Sequence, residues 1–315
     1  MKQLTSILSI LTLCVFVACG DDENNYNIYG GNGDKTPPID TDPRQEAGPE
    51  VAKYSLEFPA LKGGKSEVIV HECEIASGKT AVNYSLEWDH DKKATRWVCY
   101  KMYRDINATS WNRNNWTNGD PWAYDPNVPQ DEQQMTYNEL SKTKPNATVF
   151  PNSSYYQKGH ILASADRLSS KEANEQTFYM TNIYPQVPNF NEKIWASMEA
   201  KVRSWGSKAD TLYVVKGGTI DKEAEIADRT SGGHIVPKYF YMALLSKTGS
   251  TLKAMAFWIQ HKDDTSWDAI KEYAITVGEL QQKTGIDFFC NLSDDTENEV
   301  ENVSRTKMLS DWGLN

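Results

Sequence analysis

Three stretches within about fifty residues decide the fold: Tyr156-Gln157-Lys158-Gly159-His160-Ile161-Leu162, then Thr177-Phe178-Tyr179-Met180-Thr181-Asn182-Ile183-Tyr184, then Asn191-Glu192-Lys193-Ile194-Trp195 onward to Trp205. The first two are short and β-rich and predict strands over 156–162 and 177–184, the second ending near Pro185. In the third, Ile194, Met198 and Val202 recur at i, i+4 and i+8, which predicts a helix over 191–205 with an apolar stripe toward the core. A strand–strand–helix unit of this kind brings a strand histidine opposite an amide at a helix start. His160, Asn182 with Gln186, and Asn191 through Arg203 therefore belong to one neighbourhood.

Outward from this unit, strands dominate. Residues 82–88 alternate apolar and polar without error, as a half-buried strand does. Residues 67–75, 96–102 and 211–216 are β-rich in the same way. Residues 239–245 and 252–259 flank Lys247-Thr248-Gly249-Ser250 and predict a hairpin. Between them, 107–154 is polar and rich in Asn, Pro and Trp, a long surface excursion. Thr276 and Glu279 have capping-box spacing, and Gly285 suits the stop of the helix that follows. Strands with helices interspersed argue an α+β fold on a mixed or antiparallel sheet.

The chemistry-bearing residues first deserve a plain reading. In a regular helix Asn191 and Glu199 stand about 12 Å apart along the axis and about 80° apart around it. They cannot both touch one small cation. Mg²⁺ keeps several waters, so an ion held by the Asn191 amide oxygen leaves Glu199 an outer-sphere role. The bland reading is an Asn at a helix start and a solvated Glu199–Arg203 pair. His160 follows a glycine, which permits close approach of a neighbour. A nearby cation and Lys158 would lower its pKa and keep the ring neutral, as a general base requires. A lone histidine is otherwise more often structural, and His234 and His261, which have no partner motif, are read that way.

The run from Tyr156 to Arg167 resembles the signature of the DNA/RNA non-specific endonucleases, the ββα-metal, endonuclease G-like group. Thr177 through Gln186 resembles that family's second strand, and Asn191-x-x-x-Trp195-x-x-x-Glu199 followed by Arg203 matches its metal motif. The likeness continues through Leu212-Tyr213-Val214-Val215, Val236-Pro237-x-x-Phe240-Tyr241 and Thr284-Gly285-Ile286-Asp287-Phe288-Phe289, so it spans about residues 82–302. It implies a ββα-metal catalytic unit and a sugar-non-specific endonuclease acting on DNA and RNA and leaving 5′-phosphate ends. His160 matches the general base, Asn191 the direct ligand of a single Mg²⁺ (or Mn²⁺), and Glu199 the carboxylate that holds water on the ion. Asn182 matches a supporting amide beside the metal. Arg203, Lys158, Arg113 and Gln186 match substrate-facing positions, with Lys158 and Arg203 also serving catalysis. Two positions depart: Gln157 stands where the family has Asp, and Lys158 where it has Arg. Lys neutralises a phosphate as a point charge without the guanidinium fork, and Gln supplies no negative charge. A rival reading keeps the fold as a weak or inactive surface lipoprotein that binds nucleic acid or glycan. Gln157 favours it; the presence of His160, Asn191 and Glu199 together opposes it.

The chain ends bound the rest. Lys2 and the apolar run 7–18 form a signal-peptide core too short to span a bilayer. Phe16-Val17-Ala18-Cys19-Gly20 resembles a bacterial lipobox, with cleavage after Gly20 as the alternative. The expectation is a signal peptide over 1–18, a lipid anchor on Cys19 at the outer membrane, and export to the surface signalled by Asp21-Asp22-Glu23. Residues 19–50 have the composition of a tether, followed by one nuclease domain over 51–315. Residues 20–50 hold eight acids against Lys35 and Arg44, so −6 of the chain's −10 lies in that tether. Overall acidity therefore says little about a polyanionic substrate; the charge at the site decides. Beyond Cys19 the cysteines are Cys73, Cys99 and Cys290, of which one pair has the chance to bridge in an oxidising compartment. No Cys-x-x-Cys exists, which argues against structural zinc.

Overall fold

The computed structural model describes residues 53–133 and 140–315. The signal peptide, the tether and Cys19 lie outside the described residues. Seven strands form one antiparallel sheet: β1 (Ser66–Glu74), β2 (Thr80–Asp89), β3 (Ala94–Tyr103), β6 (Thr211–Gly218), β9 (Tyr239–Thr248), β10 (Thr251–Gln260) and β11 (Ala274–Ile275), paired in that order. Two small antiparallel pairs stand apart from it: β4 (Gln157–His160) with β5 (Ile183–Gln186), and β7 (Ile226–Arg229) with β8 (Ile235–Pro237). The helices are α1 (Lys171–Gln176), α2 (Ala196–Gly206), α3 (Val277–Thr284), α4 (Asp294–Glu301) and α5 (Arg305–Asp311).

The large sheet is covered on both faces. Along β6, Leu212 and Val214 point to one face and Tyr213 and Val215 to the other, the period of two that a strand imposes. The first face packs against Met198 and Val202 of α2, Met308 of α5, and Ile183 and Tyr184 of β5. The second packs against Val277 and Leu280 of α3 and Val300 of α4. This three-layer arrangement sets the β4–β5–α2 unit firmly on the first face. The Thr276–Glu279 capping box is present, and Gly285 ends α3 in the left-handed region at φ 68°. The 239–260 hairpin forms as expected around Gly249.

Three expectations change. Residues 82–88 are not half-buried: Asn83, Ser85 and Glu87 are all buried. Arg96 reaches Glu87 at 2.5 Å, and the Asn83 amide donates to Gln176 at 2.8 Å. Helix α1 and the adjoining strand cover what the alternation assigned to water. The strand expected over 177–184 shrinks to Ile183–Gln186, preceded by a 3-10 turn at Met180–Asn182. Its cause is the Asn182 amide, which accepts from Leu162 N and donates to Leu162 O and Thr177 O, competing with ladder bonds. Finally, Cys73, Cys99 and Cys290 are all buried, and none of them forms a disulfide. Cys73 belongs to a small cluster with Ile106, Cys99 lies in the cluster that holds Phe58 and Trp97, and the Cys290 thiol donates to Phe58 O at 3.6 Å.

A candidate nuclease active site

β4 and β5 lie close because Gly159 has no side chain. A Cβ there would fall 2.2 Å from Cδ of Gln186, which β5 places across the pair. Gly159 pairs with Tyr184 and His160 with Ile183, so the imidazole ends the short strand at the edge of the core. Its backbone oxygen accepts from Trp195 Nε1 at 3.0 Å. The ring lies 5.3 Å from Trp122 and 5.1 Å from Phe178, centroid to centroid. Nε2 of His160 is buried and has no hydrogen-bond partner. Burial, with the positive charges of Arg113 and Lys216, lowers the His160 pKa to about 3, against a smaller opposing effect of Asp166. The imidazole is therefore neutral at neutral pH, with a lone pair unspent. Lys158 has no part in that shift, contrary to the sequence-based expectation.

The helix that carries Asn191 and Glu199 is not regular. Phe190–Trp195 winds as a π-helix, with the Ala196 N–H reaching back to Asn191 O, before α2 resumes the ordinary pitch. One π-turn inserts one residue, which turns Asn191 by about 100° and brings it to within about 20° of the Glu199 face. Both side chains accordingly line one cavity of about 510 Å³, with Arg113, Asp120, Trp122, Lys158 and His160. The Asn191 amide donates from Nδ2 to Gln157 Oε1 at 2.8 Å, which leaves its Oδ1 as the end that could meet a cation. Glu199 is half-buried, and burial pushes its pKa up to about 7, with Lys216 and Arg203 pulling it down and Asp166 up. An amide oxygen and a carboxylate deprived of water are hard donors that suit a divalent cation, and a cation would stabilise the ionised Glu199. Among the described residues no group of three or more His, Cys, Asp or Glu side chains is arranged to hold a metal. An amide oxygen with one nearby carboxylate fits an ion that keeps several of its waters, as Mg²⁺ does.

Not every expected residue reaches the cavity. Asn182 and Gln186 are fully buried behind it, Asn182 as the brace of the turn after His160 and Gln186 packed over Gly159. Arg203 does not line it either; its guanidinium holds Asp166 at 2.8 Å. Arg113 does, paired with Asp120 at 3.0 Å and 5.3 Å above the Phe178 ring. Four residues went unassigned at the level of sequence: Asp166, Lys216, Trp122 and Glu192. Asp166 accepts from Tyr100 at 2.8 Å and sits 3.6 Å from the fully buried ammonium of Lys216, beneath His160 and Glu199. The signal for Lys216 was visible as a lone cation closing the apolar run Leu212-Tyr213-Val214-Val215.

The DNA/RNA non-specific endonuclease family model matches residues 64–295. A nuclease from Nostoc sp. is 28% identical over 229 residues, 69% of this chain and 75% of the relative. A nuclease from Serratia marcescens is 24% identical over 217 residues, 68% of this chain and 75% of the relative. Human mitochondrial endonuclease G is 23% identical over 146 residues, 44% of this chain and 49% of that protein. Among solved structures, an EndoG/EndoGI complex shares the fold at TM-score 0.54 and 18% identity, over 71% of this chain and 86% of that one. A ββα unit carrying an unspent imidazole beside an amide and a carboxylate, on a chain matched over residues 64–295, places this protein in the DNA/RNA non-specific endonuclease family of metal-dependent nucleases.

Proposed function

We propose that the protein hydrolyses phosphodiester bonds of both DNA and RNA with Mg²⁺, leaving 5′-phosphate ends, and that it acts outside the cell from a lipid anchor on Cys19. The observation that carries the catalytic reading is the unpartnered Nε2 of His160 in the same cavity as Asn191 and Glu199. His160 takes a proton from the attacking water at that nitrogen, and burial keeps the ring unprotonated at neutral pH. Asn191 Oδ1 would hold the cation, and Glu199 would hold it through water; once bound, the ion neutralises phosphate charge and the leaving 3′ oxygen. Arg113 and Lys158 bring two positive charges to the cavity wall, where they attract the phosphodiester. Contacts limited to phosphate carry no base information, which supports broad specificity.

Plasmid DNA and a structured RNA incubated with the protein in Mg²⁺ or in EDTA test this reading. Both should be cut in Mg²⁺, with 5′-phosphate ends, and neither in EDTA. His160→Ala should lower the rate at least about 10²-fold, the loss expected for a positioned base. Near-normal cleavage by that variant would remove His160 from the chemistry.

A further inference from the structure

An asparagine amide offers an oxygen at one end and an NH₂ at the other, and only its neighbours decide which end faces an ion. In this site the decision passes along a chain of three side chains. Glu192, next to Asn191 in the π-turn, is exposed and can only accept. Its Oε1 accepts from Gln157 Nε2 at 2.5 Å. That contact fixes the Gln157 amide with Oε1 turned the other way, where it accepts from Asn191 Nδ2 at 2.8 Å. The NH₂ end of Asn191 is thereby committed, and its oxygen is the end left for a cation. We infer that Gln157 and Glu192 are paired positioning residues that set the polarity of the Asn191 amide for the metal, an inference that rests on reading Asn191 as the direct ligand.

The pair also accounts for the departure at position 157. An Asp or Glu at 157 would accept from Asn191 unaided, but it would face the Glu192 carboxylate as a like charge. A glutamine keeps the acceptor for Asn191 and adds a donor for Glu192, so the negative charge sits one hydrogen bond further out. The two residues make sense together and not separately.

Full-chain protein titrated with Mn²⁺ in the absence of nucleic acid, with free Mn²⁺ followed by electron paramagnetic resonance, tests this directly. Gln157→Leu should weaken Mn²⁺ binding by about 10–100-fold, the usual cost of removing a ligand's partner. It should raise the Mg²⁺ concentration for half-maximal cleavage while leaving kcat at saturating Mg²⁺ within a few-fold. Glu192→Gln removes the fixed acceptor and should weaken binding to a lesser degree. In the exchanged variant, Gln157→Glu with Glu192→Gln, the glutamine donates to the glutamate and the glutamate accepts from Asn191, so affinity should return to within about 3-fold of wild type. Wild-type affinity in Gln157→Leu overturns the inference, as does an exchanged variant no tighter than Gln157→Leu. So does a Glu192→Gln loss of equal size in wild-type and Gln157→Leu backgrounds, because Glu192 would then act independently. Asn191→Ala separates the two levels. If it binds Mn²⁺ as wild type does, the ligand assignment itself fails and the inference falls with it; if it alone loses binding, only the inference fails.

Discussion

The Lys158 ammonium lies 5.0 Å from the centre of the Trp122 ring, on the cavity wall it shares with His160. Two residues apart on a strand, Lys158 and His160 present the same face. Burial lowers the Lys158 pKa, as expected for a cation held against an aromatic wall and waiting for an anion. Lys158→Ala should reduce cleavage and flatten its dependence on NaCl by about one phosphate contact, whereas Lys158→Arg should keep or modestly raise activity through a second donor. Rate against salt for the three proteins decides: parallel slopes for wild type and Lys158→Ala would mean that Lys158 does not touch phosphate. Lys216 and Asp166 work at the same scale without touching substrate. Their charges act on His160 and Glu199 from beneath the cavity, one lowering and one raising each pKa.

Among the elements, the β4–β5 pair depends on one missing side chain. Gly159→Ala puts a methyl into the Gln186 amide and should cost about 1–3 kcal/mol by overpacking, with a loss of activity because His160 adjoins the displaced residue. Gln186→Ala in the same chain opens that space, so the double variant should regain stability and activity relative to Gly159→Ala alone. A double variant no better than the single, in urea midpoint and in cleavage, would mean that the close approach is not what position 159 protects. The π-turn at Phe190–Trp195 is the second such device. It was invisible in the sequence because Ile194, late in the turn, and Met198 and Val202 beyond it keep the ordinary helical period. The extra residue changes only where Asn191 points.

For the whole molecule, acid should be the weak side. His234 and His261 are buried, and burial lowers their pKa values to about 4 and about 3. His261 accepts from Val187 N at Nε2 and donates from Nδ1 to Pro237 O, so the fold holds one neutral tautomer. Unfolded rings take up a proton near pH 6.5 and folded ones do not until far lower. Between those limits the unfolded state binds more protons, so stability falls as pH drops from about 6.5 toward 4. The loss is on the order of 3 kcal/mol per ring. Urea midpoints at pH 7 and pH 5 check this: His261→Gln should be less stable at pH 7 yet show a shallower pH dependence than wild type. Equal pH dependence would exclude His261 as a source of the acid sensitivity. Cell fractionation tests the anchor: the wild-type chain should partition with membranes and Cys19→Ser should not, and a wholly soluble wild type would refute acylation.

The sequence by itself determined the class of fold, the main strands, the hairpin, the α3 caps and the family, because each of these rests on local periodicity, turn chemistry or an ordered motif. It also named His160, Asn191, Glu199 and Arg113, which the fold gathers in one cavity. Only the tertiary structure decided the rest. Long-range partners buried the polar side of β2, turned 177–182 from strand into braced turn, and left three buried cysteines outside any disulfide. It sent Asn182, Gln186 and Arg203 behind the cavity and brought Lys216, Trp122 and Glu192 to or beside it. The reason is the same in each case: a side chain's job depends on what lies across from it, and residues 157 and 192, thirty-five positions apart, share a hydrogen bond that no local pattern encodes.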